Sequence, residues 1–215
     1  MADIRVTSEI DNFSRADENP LSAGGNYAQV RTSGDFSQQL QNKSNDAWPQ
    51  TGAAHFSASY WTPESFTGDM EMWGEVTGFT DNQNAWYLCF IKDVGTANID
   101  GYICGWIDAV GDRIQIRRFD NGSATLIKDV ALSNLPNGGD LLLLRTVGND
   151  LQAWQSVDAG ANWSMDTSVT DSTYRTGLSL TLALFSSASN GPKWAGWGGG
   201  QAVDFIPQIY RRPFG

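Results

Sequence analysis

Ser156-Val-Asp-Ala-Gly-Ala-Asn-Trp163 occurs once in the chain and joins two runs with strand character, residues 150–156 and 163–169. An Asp-x-Gly turn between such runs reads as a hairpin. Immediately upstream, Gly148-Asn149-Asp150 is a second tight-turn sequence, and before it lies the longest apolar stretch of the chain, Leu141–Leu144. Asp120-Asn121-Gly122 and Asn137-Gly138-Gly139 have the same character, so three further hairpins are expected. Extended over the whole chain, this pattern gives strands at 27–31, 36–40, 54–61, 69–77, 85–92, 101–109, 113–119, 124–130, 140–147, 150–156, 163–169, 178–186 and 193–197. No stretch longer than two turns has a 3.6-residue apolar period, so the expected class is all-β, with antiparallel strands in two packed sheets.

At 215 residues the chain can bury a substantial core as one domain. Aromatic residues make up 12% of it and charged residues only 18%, alongside 23 glycines, a balance that favours strands and turns over helices. A net charge of −10 repels phosphate backbones, which argues against nucleic acid as a partner. The opening Met-Ala-Asp-Ile-Arg-Val-Thr has no apolar signal-peptide core, and no run approaches the roughly 18 apolar residues of a membrane span. Synthesis in the cytoplasm without membrane insertion is the expectation. Two cysteines, Cys89 and Cys104, are too few for a disulfide scaffold or a four-ligand zinc site. A symmetric loop over 93–100 would place Cys89 opposite Cys104, Tyr87 opposite Trp106 and Ile91 opposite Tyr102, with the thiols packed free as small hydrophobes. His55, the one histidine, makes a histidine metal centre or a Ser-His-Asp triad improbable, and it reads as a structural residue of a strand.

Asp11-Asn-Phe-Ser-Arg-Ala-Asp-Glu-Asn-Pro-Leu21 resembles the opening D-x-F-x-R-A-D/N-x-x-x-L signature of a laminin-G-like, concanavalin A-like jelly roll, a form often encoded by tailed bacteriophages and by bacteria. Residues 95–102, Arg118-Phe-Asp-Asn-Gly122, residues 148–154, Val169-Thr-Asp-Ser-Thr-Tyr174 and Trp197-Gly-Gly-Gly200 are similar to it in the same order, so the resemblance spans about residues 11–200. It implies a two-sheet antiparallel jelly-roll sandwich over 11–205, with an N-terminal arm at 1–10 and a C-terminal tail at 206–215. Ala195-Gly196-Trp197 stands where such domains often carry Asp-Asp-Phe, which marks that sheet edge for a different contact. The 156–163 stretch is itself similar to the Asp-box of sialidase propellers and other β proteins. That likeness implies that Asp158 and Gly160 shape the turn, Ser156 satisfies the loop backbone and Trp163 caps it. A propeller would repeat the box.

This scaffold hosts lectins, glycosidases and inert modules alike, so function has to be argued from residues. Glycosidases on it resemble one another in a Glu-x-Asp-x-x-Glu strand, to which Asp69-Met-Glu-Met-Trp-Gly-Glu75 is the nearest approach, with its acids in the wrong order. Alternation sets Asp69, Glu71, Trp73 and Glu75 on one face and Met70, Met72 and Val76 on the other, so the expectation is methionines in the core and acids in water. No Gly-x-Ser-x-Gly elbow occurs. The loops 108–112 and 120–122 offer oxygen ligands but match no calcium motif, so neither a metal ligand nor a cofactor is assigned, and no catalytic residue. For glycan contact, Trp48 beside Pro49 and Trp61 before Thr62-Pro63 are the indoles least explained by alternation. Trp86 and Trp106 are expected at the sheets, and Trp154 and Trp163 at the box.

The ends differ in character from the middle. Phe205, Ile206, Ile209, Tyr210, Arg211, Arg212 and Phe214 make an apolar, arginine-bearing tail broken by Pro207 and Pro213, which suits docking on a neighbouring chain. Ile4, Val6 and Ile10 alternate and could add a strand to a partner, or both ends could pack on their own domain. Together these features point to a non-enzymatic virion protein of a tailed phage, a capsid decoration or tail appendage. It would bind other virion proteins and its own copies, as a trimer by analogy with virion jelly rolls, and host-surface glycan is a further partner. The alternative is a bacterial carbohydrate-binding module or glycoside hydrolase on the same fold.

Overall fold

The computed structural model describes residues 6–49, 55–77, 84–108, 111–186 and 191–202, and among them fifteen strands form two antiparallel sheets. In chain order these are β1 (Glu9–Asp11), β2 (Tyr27–Gln29), β3 (Leu40–Lys43), β4 (Asp46–Pro49), β5 (His55–Trp61), β6 (Met70–Thr77), β7 (Asn84–Lys92) and β8 (Asp100–Asp108). They continue as β9 (Arg113–Asp120), β10 (Ser123–Ala131), β11 (Leu141–Val147), β12 (Asp150–Ser156), β13 (Ser164–Thr170), β14 (Ser179–Ser186) and β15 (Lys193–Gln201). The eight-stranded sheet runs β13-β12-β11-β6-β15-β4-β3, and β1 shares with β4 the second edge of β15. The seven-stranded sheet runs β10-β9-β8-β7-β14-β5-β2. This is the jelly-roll sandwich that the sequence implied.

The turns at Asn121-Gly122 and Gly148-Asn149 close two-residue hairpins, with positive φ at Asn121, Gly122 and Gly148. The third expected hairpin is not one. Asn137-Gly138-Gly139 lies on the connection from β10 to β11, which carries the chain from one sheet to the other. Between the sheets lie Met70, Met72 and Val76 of β6, Trp86, Leu88 and Phe90 of β7, Trp106 of β8, and Trp194 and Trp197 of β15, all essentially without exposure. Truncating any of these indoles to alanine would cost about 3–5 kcal/mol.

The expected register of β7 and β8 is wrong by one residue. Leu88 faces Cys104, Cys89 faces Ile103, Tyr87 faces Gly105 and Ile91 faces Gly101, because the loop is Asp93–Ile99 and takes in the buried Ile99. A one-residue slip exchanges sheet faces. Cys104 therefore packs between the sheets and Cys89 on the outer face, both buried and unpaired, with burial pushing both thiols well up.

The residues of the opening signature form a clasp. Asp11 accepts two hydrogen bonds from Arg15 Nη1 (2.7 and 2.9 Å), one from Phe13 N (2.8 Å) and one from the Tyr27 hydroxyl (2.8 Å). Trp197 Nε1 in turn donates to the Tyr27 oxygen at 2.6 Å, while Phe13 and Leu21 are fully buried. The indole found in place of Asp-Asp-Phe thus ties the last strand to the first turn, and β1 occupies the edge that the departure marked.

A second clasp gathers three other signature stretches. Arg118 donates to Asp120 and Asp171, Tyr102 donates to Asp171 at 2.6 Å, and Tyr174 donates to Asp120 at 2.8 Å, joining β8 and β9 to the chain that follows β13. Burial would raise the Asp171 carboxyl, but hydrogen bonds from Tyr102, Thr173 and Arg118 outweigh it and hold it at about 2.

Residues 6–10 pack on their own domain. Thr7 N donates to Glu71 Oε1 (2.6 Å), Trp73 Nε1 donates to Thr7 O (2.9 Å), and Val6 joins Leu141, Leu143 and Trp163. Gly198 makes room for this crossing, since a Cβ there would lie 2.3 Å from Ser8 O. The docking-tail residues Phe205, Ile206, Ile209, Tyr210, Arg211, Arg212 and Phe214 lie outside the described residues.

Candidate functional site

An outward sheet face is ordinarily polar, yet β7, β8 and β14 of the seven-stranded sheet are largely apolar on both faces, and β5 turns Phe56, Ala58 and Tyr60 outward. Registers across this sheet define three rows of side chains on its outer face. The first is Phe56, Phe185, Ala85, Ile107 and Arg113. The second is Ala58, Ala183, Tyr87, Gly105, Gln115 and Asp129. The third is Tyr60, Thr181, Cys89, Ile103, Arg117 and Leu126. In the middle row Tyr87 lies flat over Gly105, where a Cβ would sit 2.3 Å from its Cε1. The phenol ring therefore crosses β8 in the direction of Gln115.

The segment from Val30 to Gln38 crosses this face. Phe36, at φ 65°, packs its ring 5.0 Å from Phe56, 6.3 Å from Tyr87 and 6.1 Å from Phe119, in one cluster with the buried Ala58 and Ala183. One end of the crossing is fixed by Arg31, which donates to Ala97 O (3.1 and 2.8 Å), and by Gly95 N on Val30 O (2.8 Å). Ala58 N on Gln38 O (2.7 Å) fixes the other.

What stays accessible is an aromatic floor and a polar strip. Phe56 and Phe185, with ring centroids 4.7 Å apart, are half-buried, as are Tyr60 and Ile107. Across β7 and β8 from the two phenylalanines, β9 presents Arg113, Gln115 and Arg117. Arg113 pairs with Asp129 at 2.5 Å, a hydrogen bond that raises the guanidinium and lowers the carboxyl. Arg117 donates to Gln115 Oε1 through Nη2 (2.9 Å) and Nε (3.3 Å). Burial pushes the Tyr87 hydroxyl up, so it stays protonated and able to donate. One face thus offers rings for the apolar face of a pyranose and, two strands away, amide, guanidinium and carboxylate groups for hydroxyls.

The residues singled out in the sequence lie elsewhere. Trp48, on β4, has Lys193 Nζ 3.8 Å and Lys43 Nζ 5.0 Å from its ring centroid, so lysines from both flanking strands lie against the indole a sugar would need. Trp61, half-buried at the end of β5, packs edge-on against Tyr27 (5.3 Å) and Trp197 (5.8 Å) next to the first clasp. In the 156–163 hairpin, Ser156 Oγ and Asp158 Oδ1 are 2.8 Å apart, Gly160 N donates to Ser156 Oγ (2.9 Å), Asn162 N donates to Asp158 Oδ1 (2.8 Å), and Trp163 is buried on Leu141 and Leu143. Trp154, half-buried in that cluster, donates to Gln152 Oε1. The serine, the aspartate and the loop amides satisfy one another, while the buried Trp163 Nε1 has no hydrogen-bond partner among the described residues.

The expectation that the acids of β6 face water needs correction. Met70, Met72 and Val76 do fill the core, but Glu71 has no exposure, lying beneath Thr7 and 3.3 Å from Arg145 Nε. Asp69 is paired with Arg175. The sequence's candidate pair is therefore divided between two ion pairs. Among the described residues no group of three or more His, Cys, Asp or Glu side chains could hold a metal ion.

No family model matches the sequence, and no curated protein matches it either. Solved structures do match in fold. The Ca2+/Man-bound exoplasmic/lumenal domain of VIP36 superposes with a TM-score of 0.64 at 12% identity, covering 88% of this chain and 91% of that one. The CBM2 module of the evolved Dit of Lactobacillus casei BL23 phage J-1 gives 0.59 at 14% identity, covering 90% and 95%. The carbohydrate-binding module CBM66 from Bacillus subtilis gives 0.53 at 18%, covering 78% and 96%. The chain has the concanavalin A-like, legume-lectin-like jelly-roll fold.

Proposed function

We propose that this chain is a non-catalytic glycan-binding module, and that it serves as a decoration or appendage of a tailed-phage particle. One observation carries the glycan reading: the outer face of the seven-stranded sheet carries half-buried Phe56 and Phe185 and, across β7 and β8 from them, the hydrogen-bonding strip of Arg113, Gln115 and Arg117. A purely structural sheet would not need rings and amides on one face at its surface. The fold likeness to a phage Dit module and to carbohydrate-binding domains supports the reading. In this role the protein meets other virion proteins and its own copies through its C-terminal tail, and host-surface glycan through this face.

A glycan array read with wild type, Phe185→Ala and Gln115→Ala tests the face. Both variants are expected to lose binding by tenfold or more with the fold retained by circular dichroism. Trp48→Ala and Trp61→Ala in the same assay separate the indoles from the face, and loss in these alone would move the site to them. Virion association is tested by deleting residues 206–215: a domain that folds but no longer joins the particle supports docking through the tail. The second reading, a bacterial carbohydrate-binding module, is favoured by the CBM66 likeness and would show as array binding with no incorporation by the full chain.

A further inference from the structure

Along the polar strip of β9 two arginines share one carboxylate. Arg113, Gln115 and Arg117 recur every second residue, so all three project from the same outer face. Arg113 is matched by Asp129. Arg117 is exposed, and its guanidinium is held through Nε and Nη2 by the amide oxygen of Gln115, a neutral acceptor. Its neighbours across the strands, Ile103 on β8 and Leu126 on β10, supply no counter-charge, and the carboxylate that attracts it, Asp129, already pairs with Arg113. The other charges near this part of the face are Asp35, which with Arg117 acts on the Tyr87 hydroxyl, and Arg31, whose donors go to carbonyl oxygens. Among the described residues Arg31, Arg113 and Arg117 thus stand against Asp35 and Asp129, on a chain whose net charge is −10. A guanidinium oriented by a neutral amide keeps its full charge and its fork geometry for an incoming anion, and here it stands beside a tyrosine ring laid flat over glycine.

We infer that the saccharide bound on this face is an acidic oligosaccharide, and that Arg117 receives a carboxylate of it on β9 while another of its sugars lies on Phe56 and Phe185, across β7 and β8. This rests on the glycan-binding function proposed above and names its ligand class. A charge-assisted hydrogen bond of this kind is worth roughly ten- to a hundredfold in affinity.

The test is an array of neutral and carboxylate-bearing oligosaccharides, uronates and sialates included, probed with the full chain. The strongest acidic ligand is then compared with its carboxyl-reduced form by titration calorimetry at low and high salt. The expected result is acidic ligands, at least tenfold weaker binding after carboxyl reduction, loss of that difference in Arg117→Gln and partial retention in Arg117→Lys. Binding to neutral sugars that Phe185→Ala abolishes, or a charge preference that survives in Arg117→Gln, overturns the inference and leaves glycan binding standing. Binding to no saccharide overturns both.

Discussion

Asp166 offers a quantitative test of the packing between the sheets. It is the extra residue of a β-bulge in β13: Thr167 faces Ala153 and Met165 faces Trp154, so Asp166 has no partner on β12. Its carboxylate accepts a hydrogen bond from Nε1 of the fully buried Trp106 at 2.9 Å. Burial raises the carboxyl from 3.8 to about 6, more than the Trp106 hydrogen bond lowers it. That rise corresponds to about 3 kcal/mol.

The sign follows from proton uptake. Below pH 3.8 folded and unfolded chains are both protonated at this site. Between 3.8 and about 6 only the folded chain keeps the proton, and above 6 it carries the whole cost of a buried carboxylate. The stability contributed by Asp166 therefore falls as pH rises through that window. Asp166→Asn removes the charge and keeps an acceptor for the indole. Urea unfolding should show the variant equal to wild type near pH 4 and more stable by up to about 3 kcal/mol at pH 7.5, a gain of several degrees in Tm. Asp166→Ala should gain less, because it leaves the Trp106 N–H unpaired at a cost of about 1–3 kcal/mol. A difference between Asn and wild type that does not change with pH, or a loss at pH 7.5, would refute the reasoning.

Three further outcomes follow from the same geometry. Tyr27→Phe removes the oxygen that accepts from Trp197 Nε1 and should cost about 1–3 kcal/mol in denaturant unfolding. Gly105→Ala places a methyl group within the Tyr87 ring, so it should lower stability by about 1–3 kcal/mol and weaken saccharide binding beyond what unfolding explains, checked by calorimetry on folded protein. Asp171, held at about 2, contributes stability above pH 3.8 that is lost as pH falls toward 2. Thermal scans from pH 5 to 2 should therefore drop more steeply for wild type than for Asp171→Asn.

The fold was legible because strand period, turn chemistry and signature order agree along most of the chain. What escaped was set by distant residues. β4 was not read as a strand because Asp46-Ala-Trp-Pro49 is short and ends in proline, and it forms only against β3 and β15. The β7–β8 register failed because turn symmetry was assumed where burial of Ile99 decides the loop length. Glu71 was assigned to water because alternation gives a face and cannot show what crosses that face.

The same limit hid the proposed glycan site. Its rows join residues from β5, β14, β7, β8 and β9, whose neighbour relations depend on the order of strands in the sheet rather than in the chain. One local signal was present: Ala85 to Ile91 is apolar at every position, as is most of 180–185, and a strand apolar at both parities must be covered on both sides. On the inner side the cover is the other sheet. On the outer side it is partly Phe36, and Phe56 and Phe185 at its margin remain half-buried. Trp48 and Trp61, like Phe56 and Phe185, are half-buried with partners for their rings, so the face is singled out by its rows of side chains rather than by any one ring.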